Sequence, residues 1–176
     1  MQTLLVSLWC ADKTGLVAAV TGRLFDLGAN LGDTTFAVLG GGAEFTSVCD
    51  VPDHASPKDV EAELRALPEV GPKAKLNVEP LDVSPVHGAT GRITHRITIS
   101  GGDRPGLLAR LSEVFVQFGA NIVRLNSERI PDASGGRYVT RIGVAVPENV
   151  TERCLATIGN TAGELGLDCH WRASSN

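Results

Sequence analysis

Two short segments carry residues whose types and spacing suit the binding of a small anion. Residues 12–16 read D-K-T-G-L and residues 103–107 read D-R-P-G-L, and each segment joins an apolar run to a stretch with helical spacing. Pro105 suits a first helical position, and Gly106 after it removes the side chain beside the helix start. Free backbone N–H groups at that point, together with the positive end of the helix dipole, favour a carboxylate.

Four polar residues near these segments have two competing interpretations. Asp12 and Asp103 can bind a ligand with the loop, or they can cap the helix and close the loop by accepting from the same N–H groups. Asn30 and Asn121 each follow Gly-Ala before a predicted strand. Their amides can bind both a carboxylate and an ammonium group, or can simply close the turn.

The two segments belong to a repeat that runs through most of the chain. The match continues at a constant offset of 91 residues from Asp12 and Asp103 through the helix to Asn30 and Asn121. A match of this length at one constant offset indicates two related modules rather than one domain. We predict modules at residues 1–80 and 92–176, joined by a linker at residues 81–91 that contains Pro85.

The sequence pattern of each module predicts the element order βαββαβ. Alternating or apolar β-favouring runs give the strands, and apolar residues three and four apart give the helices. Gly28 and Gly119 are placed to end the first helix of each module in a left-handed conformation, and Ser56-Pro57 is placed to begin the second helix of the first module. The predicted strands are residues 3–9, 33–39, 44–51, 74–78, 96–100, 124–130, 138–146 and 167–171, and the predicted helices are residues 16–27, 58–67, 107–118 and 152–165. A longer hairpin turn is predicted at residues 131–136, and Asn149 or Thr151 is expected to begin the last helix.

This order predicts the fold class α+β, with two ferredoxin-like modules. Each has a four-stranded antiparallel sheet with two helices on one face. The other face of each sheet is left without helices. We expect this bare face to be apolar and to be covered by a partner, so that the protein forms a homodimer.

Composition disfavours several classes of function. The net charge is −4, and no stretch of the chain clusters Lys or Arg densely enough to form a cationic face, so direct binding of nucleic acid is not expected. The first residues lack a basic segment before their apolar run, and no window has the length of a membrane span, so we expect a cytoplasmic protein.

Catalytic and metal-binding arrangements find little support. The four cysteines have no C-x-x-C spacing, the four histidines have no metal-ligand spacing, and no serine lies in G-x-S-x-G. We therefore expect structural thiols, no metal, no cofactor and no enzymatic activity.

The repeated pattern resembles the ACT domain: a strand, D-x-[PT]-G-L, an apolar helix, G-A-N-[IL] and a β-hairpin. The first copy departs from it only at Thr14, where Pro is typical. ACT domains are regulatory modules that pair side by side through their sheets and bind amino acids at the interface, using the first loop and the start of the second strand. The resemblance implies these site residues: Asp12, Thr14, Gly15, Leu16, Asn30, Leu31, Asp103, Pro105, Gly106, Leu107, Asn121 and Ile122.

The tandem architecture further resembles the glycine cleavage system transcriptional repressor family. That resemblance implies an amino acid ligand such as glycine or serine, and action on transcription through an activator protein rather than by direct reading of DNA. The same motifs resemble the N-terminal part of formyltetrahydrofolate deformylases, which continue into a hydrolase domain. Three hypotheses remain at this stage: an amino acid sensor, an interaction module without a small ligand, and an enzyme.

Overall fold

The chain folds into two compact units. A computed structural model describes residues 1–131 and 136–174, and the units are Met1–Pro85 and Val86–Asn176. The first unit contains β1 (Gln2–Ala11), α1 (Leu16–Asp26), β2 (Asn30–Leu39), β3 (Gly42–Val51), α2 (Pro57–Arg65) and β4 (Lys75–Pro80). The second contains β5 (His95–Gly101), α3 (Leu107–Gln117), β6 (Asn121–Ile130), β7 (Arg137–Ala145), α4 (Thr151–Glu164) and β8 (Asp168–Ala173).

Each unit has one four-stranded antiparallel sheet. The strand order is β2-β3-β1-β4 in the first unit and β6-β7-β5-β8 in the second. These orders place β1 and β3, or β5 and β7, at the centre, with β2 and β4, or β6 and β8, at the edges. The predicted ferredoxin-like α+β fold is confirmed. The longer turn predicted at residues 131–136 falls mainly on residues 132–135, outside the described residues.

One face of each sheet packs against the two helices of its unit. In β1, Leu4, Val6 and Leu8 are buried, whereas the residues between them point to the other face. The helices contribute the matching stripe, for example Leu16, Val20 and Leu24 of α1. Phe45 and Phe115 are the largest side chains that are almost wholly buried. Each unit thus has its own hydrophobic core.

Glycine and proline set the helix boundaries, largely as predicted. Gly28 and Gly119 have φ of 75° and 64° and follow the helices α1 and α3. Ser56 is the N-cap of α2, with Pro57 as its first residue, and a capping box joins Ser56 to Asp59.

Helix α4 begins at Thr151, one of the two residues predicted to open it. A 3₁₀ turn at Glu148–Val150 precedes it, so Asn149 lies before the helix and Thr151 is its first residue. The N-cap is Val150, which provides no side-chain hydrogen bond, and the Thr151 hydroxyl donates to the carbonyl of Pro147 at 3.1 Å.

The second strand of each unit starts three residues earlier than the alternating pattern indicated. β2 begins at Asn30 and β6 at Asn121. The register of β2 against β3 shifts between Leu31 and Thr34, and that of β6 against β7 shifts between Ile122 and Arg124. A shift of this kind interrupts the period of two, which is why the sequence pattern did not show these first residues.

Candidate functional site

The D-x-[PT]-G-L segments form the same backbone turn in both units. The Leu16 N–H donates to the Lys13 carbonyl, and the Leu107 N–H donates to the Arg104 carbonyl, each at 3.2 Å. The third residue of the turn is glycine with positive φ, 91° at Gly15. These features define a type II turn, in which the third residue must adopt a left-handed conformation that favours glycine.

The prediction that Pro105 occupies a first helical position is wrong. Helix α3 begins at Leu107, and Gly106, with φ of 78°, is its N-cap. Pro105 is the second residue of the type II turn, where its fixed φ is also favourable. Thr14 occupies the same position in the first unit, because any residue with negative φ fits there.

The predicted capping role of the aspartates is also wrong. Neither Gly15 nor Gly106 is accompanied by a side-chain cap. The Asp12 N–H donates to the Gly41 carbonyl at 3.2 Å, so its backbone ties the loop to the hairpin tip. The Asp103 carboxylate instead accepts from Arg129 on β6 and forms an ion pair with it.

The starts of α1 and α3 are therefore open at their N–H groups. Within the first turn of α1, the N–H of Leu16 is used by the loop and that of Ala19 donates to the Gly15 carbonyl at 2.9 Å. The N–H groups of Val17 and Ala18 lie between them, in the part of a helix that has no intrahelical partner. A Cβ built on Gly15 or on Gly106 would meet no atom within 4 Å. Each helix start thus faces open space.

The leucines predicted as site residues belong to the core. Leu16 and Leu107 are 1 % and 3 % exposed, and they point away from solvent. Leu31 and Ile122 are half-buried and pack against the cores of their own units. These four residues can offer a ligand their backbone groups or a part of a side chain, but not a free apolar surface.

The asparagines do not lie beside the loops of their own unit. β1 ends at Ala11, which pairs with Gly42, whereas Asn30 pairs with Asp50 at the opposite end of β3. Strand β2 has ten residues, so Asn30 lies about 30 Å from the loop end of the sheet. The register of β6 against β7 places Asn121 in the same way, opposite Ala145. The expectation that glycine and asparagine lie close together is wrong within a single unit.

The side chain of Asn121 is held by a segment that is distant in the sequence. Its amide donates to the carbonyl of Thr90 at 2.8 Å, in the 3₁₀ turn Ala89–Gly91 that precedes β5. Asn30 is exposed at the start of β2, and its side chain takes part in no hydrogen bond among the described contacts. The amide is therefore used in a hydrogen bond in the second unit, whereas in the first unit it is available to a ligand.

The cysteines are free thiols in apolar surroundings. Cys10, Cys49 and Cys154 are buried and Cys169 is half-buried. Burial raises the pKa of all four thiols, and raises that of Cys49 to about 11. They are thus protonated at neutral pH, which disfavours nucleophilic or metal-binding roles. Within residues 1–131 and 136–174, no group of three or more His, Cys, Asp or Glu side chains could hold a metal ion.

An open cavity of about 550 Å³ lies on the first unit. Trp9 and Ser7 of β1, Glu44 of β3, and Lys75 and Asn77 of β4 line part of it. The same residues show that the outer face of this sheet is mixed rather than apolar. The expectation of an apolar bare face is wrong, since only scattered side chains such as Trp9 are apolar there.

The second unit carries a basic surface that no local sequence pattern shows. Its bare sheet face gathers exposed arginines from all four strands, which are Arg124 of β6, Arg141 of β7, Arg96 of β5 and Arg172 of β8. The absence of a dense run of Lys or Arg in the sequence therefore does not exclude a basic face in the folded unit. These residues are far apart in sequence, and only the strand order brings them together.

Each half of the chain is thus a βαββαβ module whose first loop leaves a helix start open. Residues 95–152, from β5 to the start of α4, match the ACT domain model. The second unit therefore contains an ACT domain, and the first unit has the same fold. Among the described residues, no helix is both long and apolar enough to cross a membrane.

Two solved structures share the fold over almost the whole chain. An unknown protein from Galdieria sulphuraria is 21 % identical, with a TM-score of 0.77 and coverage of 99 % of each chain. A protein provisionally named as a glycine cleavage system transcriptional repressor is 15 % identical, with a TM-score of 0.66 and coverage of 99 % of this chain and 98 % of its own. No curated protein sequence matches this chain significantly.

Proposed function

We propose that this protein is a non-catalytic cytoplasmic regulator that senses a small amino acid. The observation that carries the proposal is the open start of α1, where a left-handed glycine replaces a capping side chain. The helix dipole and the free N–H groups of the first turn attract the ligand's carboxylate. Glycine and serine are the candidate ligands, because the loop is small and open.

The first loop is the better binding site of the two. An amino acid also carries an ammonium group, for which Asp12 is the nearest carboxylate in the loop. Asp12 forms no ion pair among the described residues, whereas Asp103 is held by Arg129. The first loop therefore offers both charges that a zwitterion needs, while the second has already neutralised its acidic side chain.

Asn30 can join this site only from a neighbouring protomer, because its own loop lies at the other end of the sheet. We accordingly propose a homodimer in which the amide of Asn30 completes the site of the partner. Its free amide can accept from the ammonium group and donate to the carboxylate of one ligand. Binding of the amino acid then shifts an equilibrium between two states of the assembly in proportion to its differential affinity.

The regulated process that best fits the architecture is transcription of glycine cleavage genes, repressed through an activator protein. Support comes from the tandem arrangement and from the full-length fold shared with the protein provisionally named as such a repressor. Neither unit contains a helix-turn-helix arrangement among its described elements, which favours an indirect action.

Calorimetric titration with glycine, serine and the other amino acids tests the sensor directly. The decisive variant is Ala18→Glu, since Ala18 is exposed at the third position of α1. A glutamate there complements the helix dipole, so the free energy of unfolding should rise by about 0.3 to 1 kcal/mol while carboxylate binding weakens. Ala18→Gln is the matched control without the charge, and it should bind like the wild type. Equal binding by both variants, or no binding of any amino acid by the wild type, contradicts the proposal.

A second function is favoured by particular contacts in the second unit. An interaction module without a ligand should fill its loops with its own side chains. The Asp103–Arg129 ion pair and the Asn121–Thr90 hydrogen bond are contacts of this kind. We therefore propose that the second unit serves mainly in protein contacts, and that an Ala109→Glu substitution at the equivalent position leaves amino acid binding unchanged.

A further inference from the structure

The bare sheet face of the second unit has a basic half, which we call the arginine face and define as Arg96, Arg124, Arg141, Arg172 and His170. Arg96 is directly opposite Arg172 on one side and Gly143 on the other, and Gly143 is directly opposite Arg124. Directly opposite residues share a face of the sheet, so the three arginines lie in one row across it, with the Ile93 side chain over Gly143 between Arg96 and Arg124.

The next row along the strands extends this charge. Arg141 lies two residues from Gly143, and His170 lies two residues from Arg172, so both point to the same face. Neighbouring strands are about 4.8 Å apart and neighbouring rows about 7 Å apart, which concentrates four guanidinium groups within a small area. All five side chains of the arginine face belong to exposed residues.

Three of these arginines lack an internal counter-ion. Arg141 pairs with Glu128, but Arg96, Arg124 and Arg172 form no ion pair among the described residues. Like charges at directly opposite positions of an antiparallel pair destabilise the sheet. The Arg96–Arg172 pair is therefore unfavourable in the folded unit, and no ion pair among the described residues offsets it, so a bound anion would stabilise this face.

The overall charge of the chain conceals this feature. Residues 1–85 carry twelve acidic side chains and six Lys or Arg, whereas residues 86–176 carry eight and ten. The net charge of −4 is thus the sum of an acidic first unit and a slightly basic second unit.

We propose that the arginine face binds an acidic surface of a protein partner through its carboxylates. The planar guanidinium group donates in a fork that matches a carboxylate, and this chemistry suits arginine better than lysine. The next row of the same face contains Glu128 and Asp168, which form ion pairs with Arg141 and Arg137. Acidic and basic side chains are thus mixed at this border, which suits a protein surface of mixed charge.

A further observation favours protein over nucleic acid. Surfaces that bind single strands combine basic groups with aromatic platforms, and among the described residues no Phe, Tyr or Trp lies on this face of the second sheet. Trp171 is on the helix side instead, where its ring lies beside Gly159 of α4.

This inference deepens the proposed function, because it assigns the surface that contacts the regulated protein. Its claim about the partner's role rests on that proposed function. Binding to the arginine face itself is measured without any amino acid present, so failure of this inference and failure of the sensor are distinguishable.

The test uses the full chain and two double variants with the same change in net charge. Arg96→Gln with Arg172→Gln removes the opposed pair from the arginine face. Arg110→Gln with Arg153→Gln removes two exposed arginines from α3 and α4, on the other side of the sheet. The probes are a labelled glutamate-rich peptide and a single-stranded oligonucleotide of equal charge, each titrated by fluorescence anisotropy at low and at physiological salt.

We expect the wild type and the Arg110→Gln, Arg153→Gln variant to bind the peptide equally. The Arg96→Gln, Arg172→Gln variant, here the face variant, should bind it at least about tenfold more weakly. Binding should weaken as salt rises, because the charges are exposed. The melting temperature of the face variant should stay the same or rise, since a repulsive pair is removed, and this outcome separates binding from folding. Equal peptide binding by all three proteins overturns the proposal. Preferential binding of the oligonucleotide through the same arginines also overturns it, in favour of a nucleic acid surface.

Discussion

At the scale of single residues, Gly15 and Gly106 combine two properties. Each leaves space beside a helix start, because glycine has no side chain. The structure shows that the space exists, but the turn requires glycine for its positive φ. The capping role of Asp103 failed because its partner, Arg129, is 26 residues away and is brought close only by the sheet.

The substitution Gly106→Ala tests whether this position needs glycine for its positive φ or for the space beside the helix. A Cβ would meet no neighbouring atom, so any loss of stability comes from the left-handed backbone alone. We expect the free energy of unfolding to fall by about 1 kcal/mol. Gly106→Asn should lose less, because asparagine tolerates this conformation better. Chemical denaturation measures both.

Gly102→Ala is the matched control for that measurement. Gly102 lies in the same loop, a Cβ there would also meet no atom, and its φ is not in the left-handed region. We expect it to be neutral or slightly stabilising, since alanine restricts the unfolded chain. Equal losses for Gly102→Ala and Gly106→Ala would show that the turn imposes no special conformation.

At the scale of elements, helix starts divide into two kinds that follow from local sequence. Helix α2 has a complete capping box from Ser56 and Asp59, and the Ser56-Pro57 pair predicted its start. Helices α1 and α3 have no side-chain cap. Helix α4 also lacks a side-chain cap, so a missing cap alone does not mark a ligand site. What α1 and α3 have in addition is a left-handed glycine at the N-cap. Strand starts were less predictable, since the register shifts in β2 and β6 break the alternation.

Removal of the α2 cap gives a pH-dependent effect on stability. The side-chain and backbone hydrogen bonds of Ser56 lower the pKa of Asp59. A carboxyl with a lowered pKa in the folded state stabilises the protein above its ordinary pKa near 4, and this contribution is lost as pH falls through the lowered value. Ser56→Ala should therefore reduce the free energy of unfolding by about 1 kcal/mol at pH 7, and the difference from the wild type should shrink in acid.

Ser56→Thr provides the control for this prediction. A threonine hydroxyl can accept from the same N–H and donate to the same carboxylate, so it should restore most of the lost stability. Denaturant unfolding at a series of pH values from neutral to acidic measures the three proteins. A Ser56→Ala deficit that stays constant down to the lowest pH would contradict the coupling to Asp59.

At the scale of the whole molecule, strand order determines what local patterns cannot show. The βαββαβ order predicted the fold, and the register places Asn30 and Gly15 at opposite ends of one sheet. Arg96 and Arg172 are 76 positions apart in the sequence and directly opposite in the sheet. Functional surfaces made from several strands therefore appear only when the register is known, whereas single-loop features are visible from sequence.

Assembly gives the last prediction, because β2 is an edge strand with large apolar side chains in solvent. Phe36, Val38 and Leu39 are 42 %, 49 % and 48 % exposed. An edge of this kind pairs readily with another chain unless a charge blocks it. We expect the wild type to sediment as a dimer and Val38→Lys to sediment as a monomer with an unchanged circular dichroism spectrum. Val83→Lys, at a site 70 % exposed after β4, adds the same charge and should remain a dimer. A monomeric wild type at working concentrations would contradict the homodimer, whereas a dimeric Val38→Lys variant would place its interface elsewhere than β2.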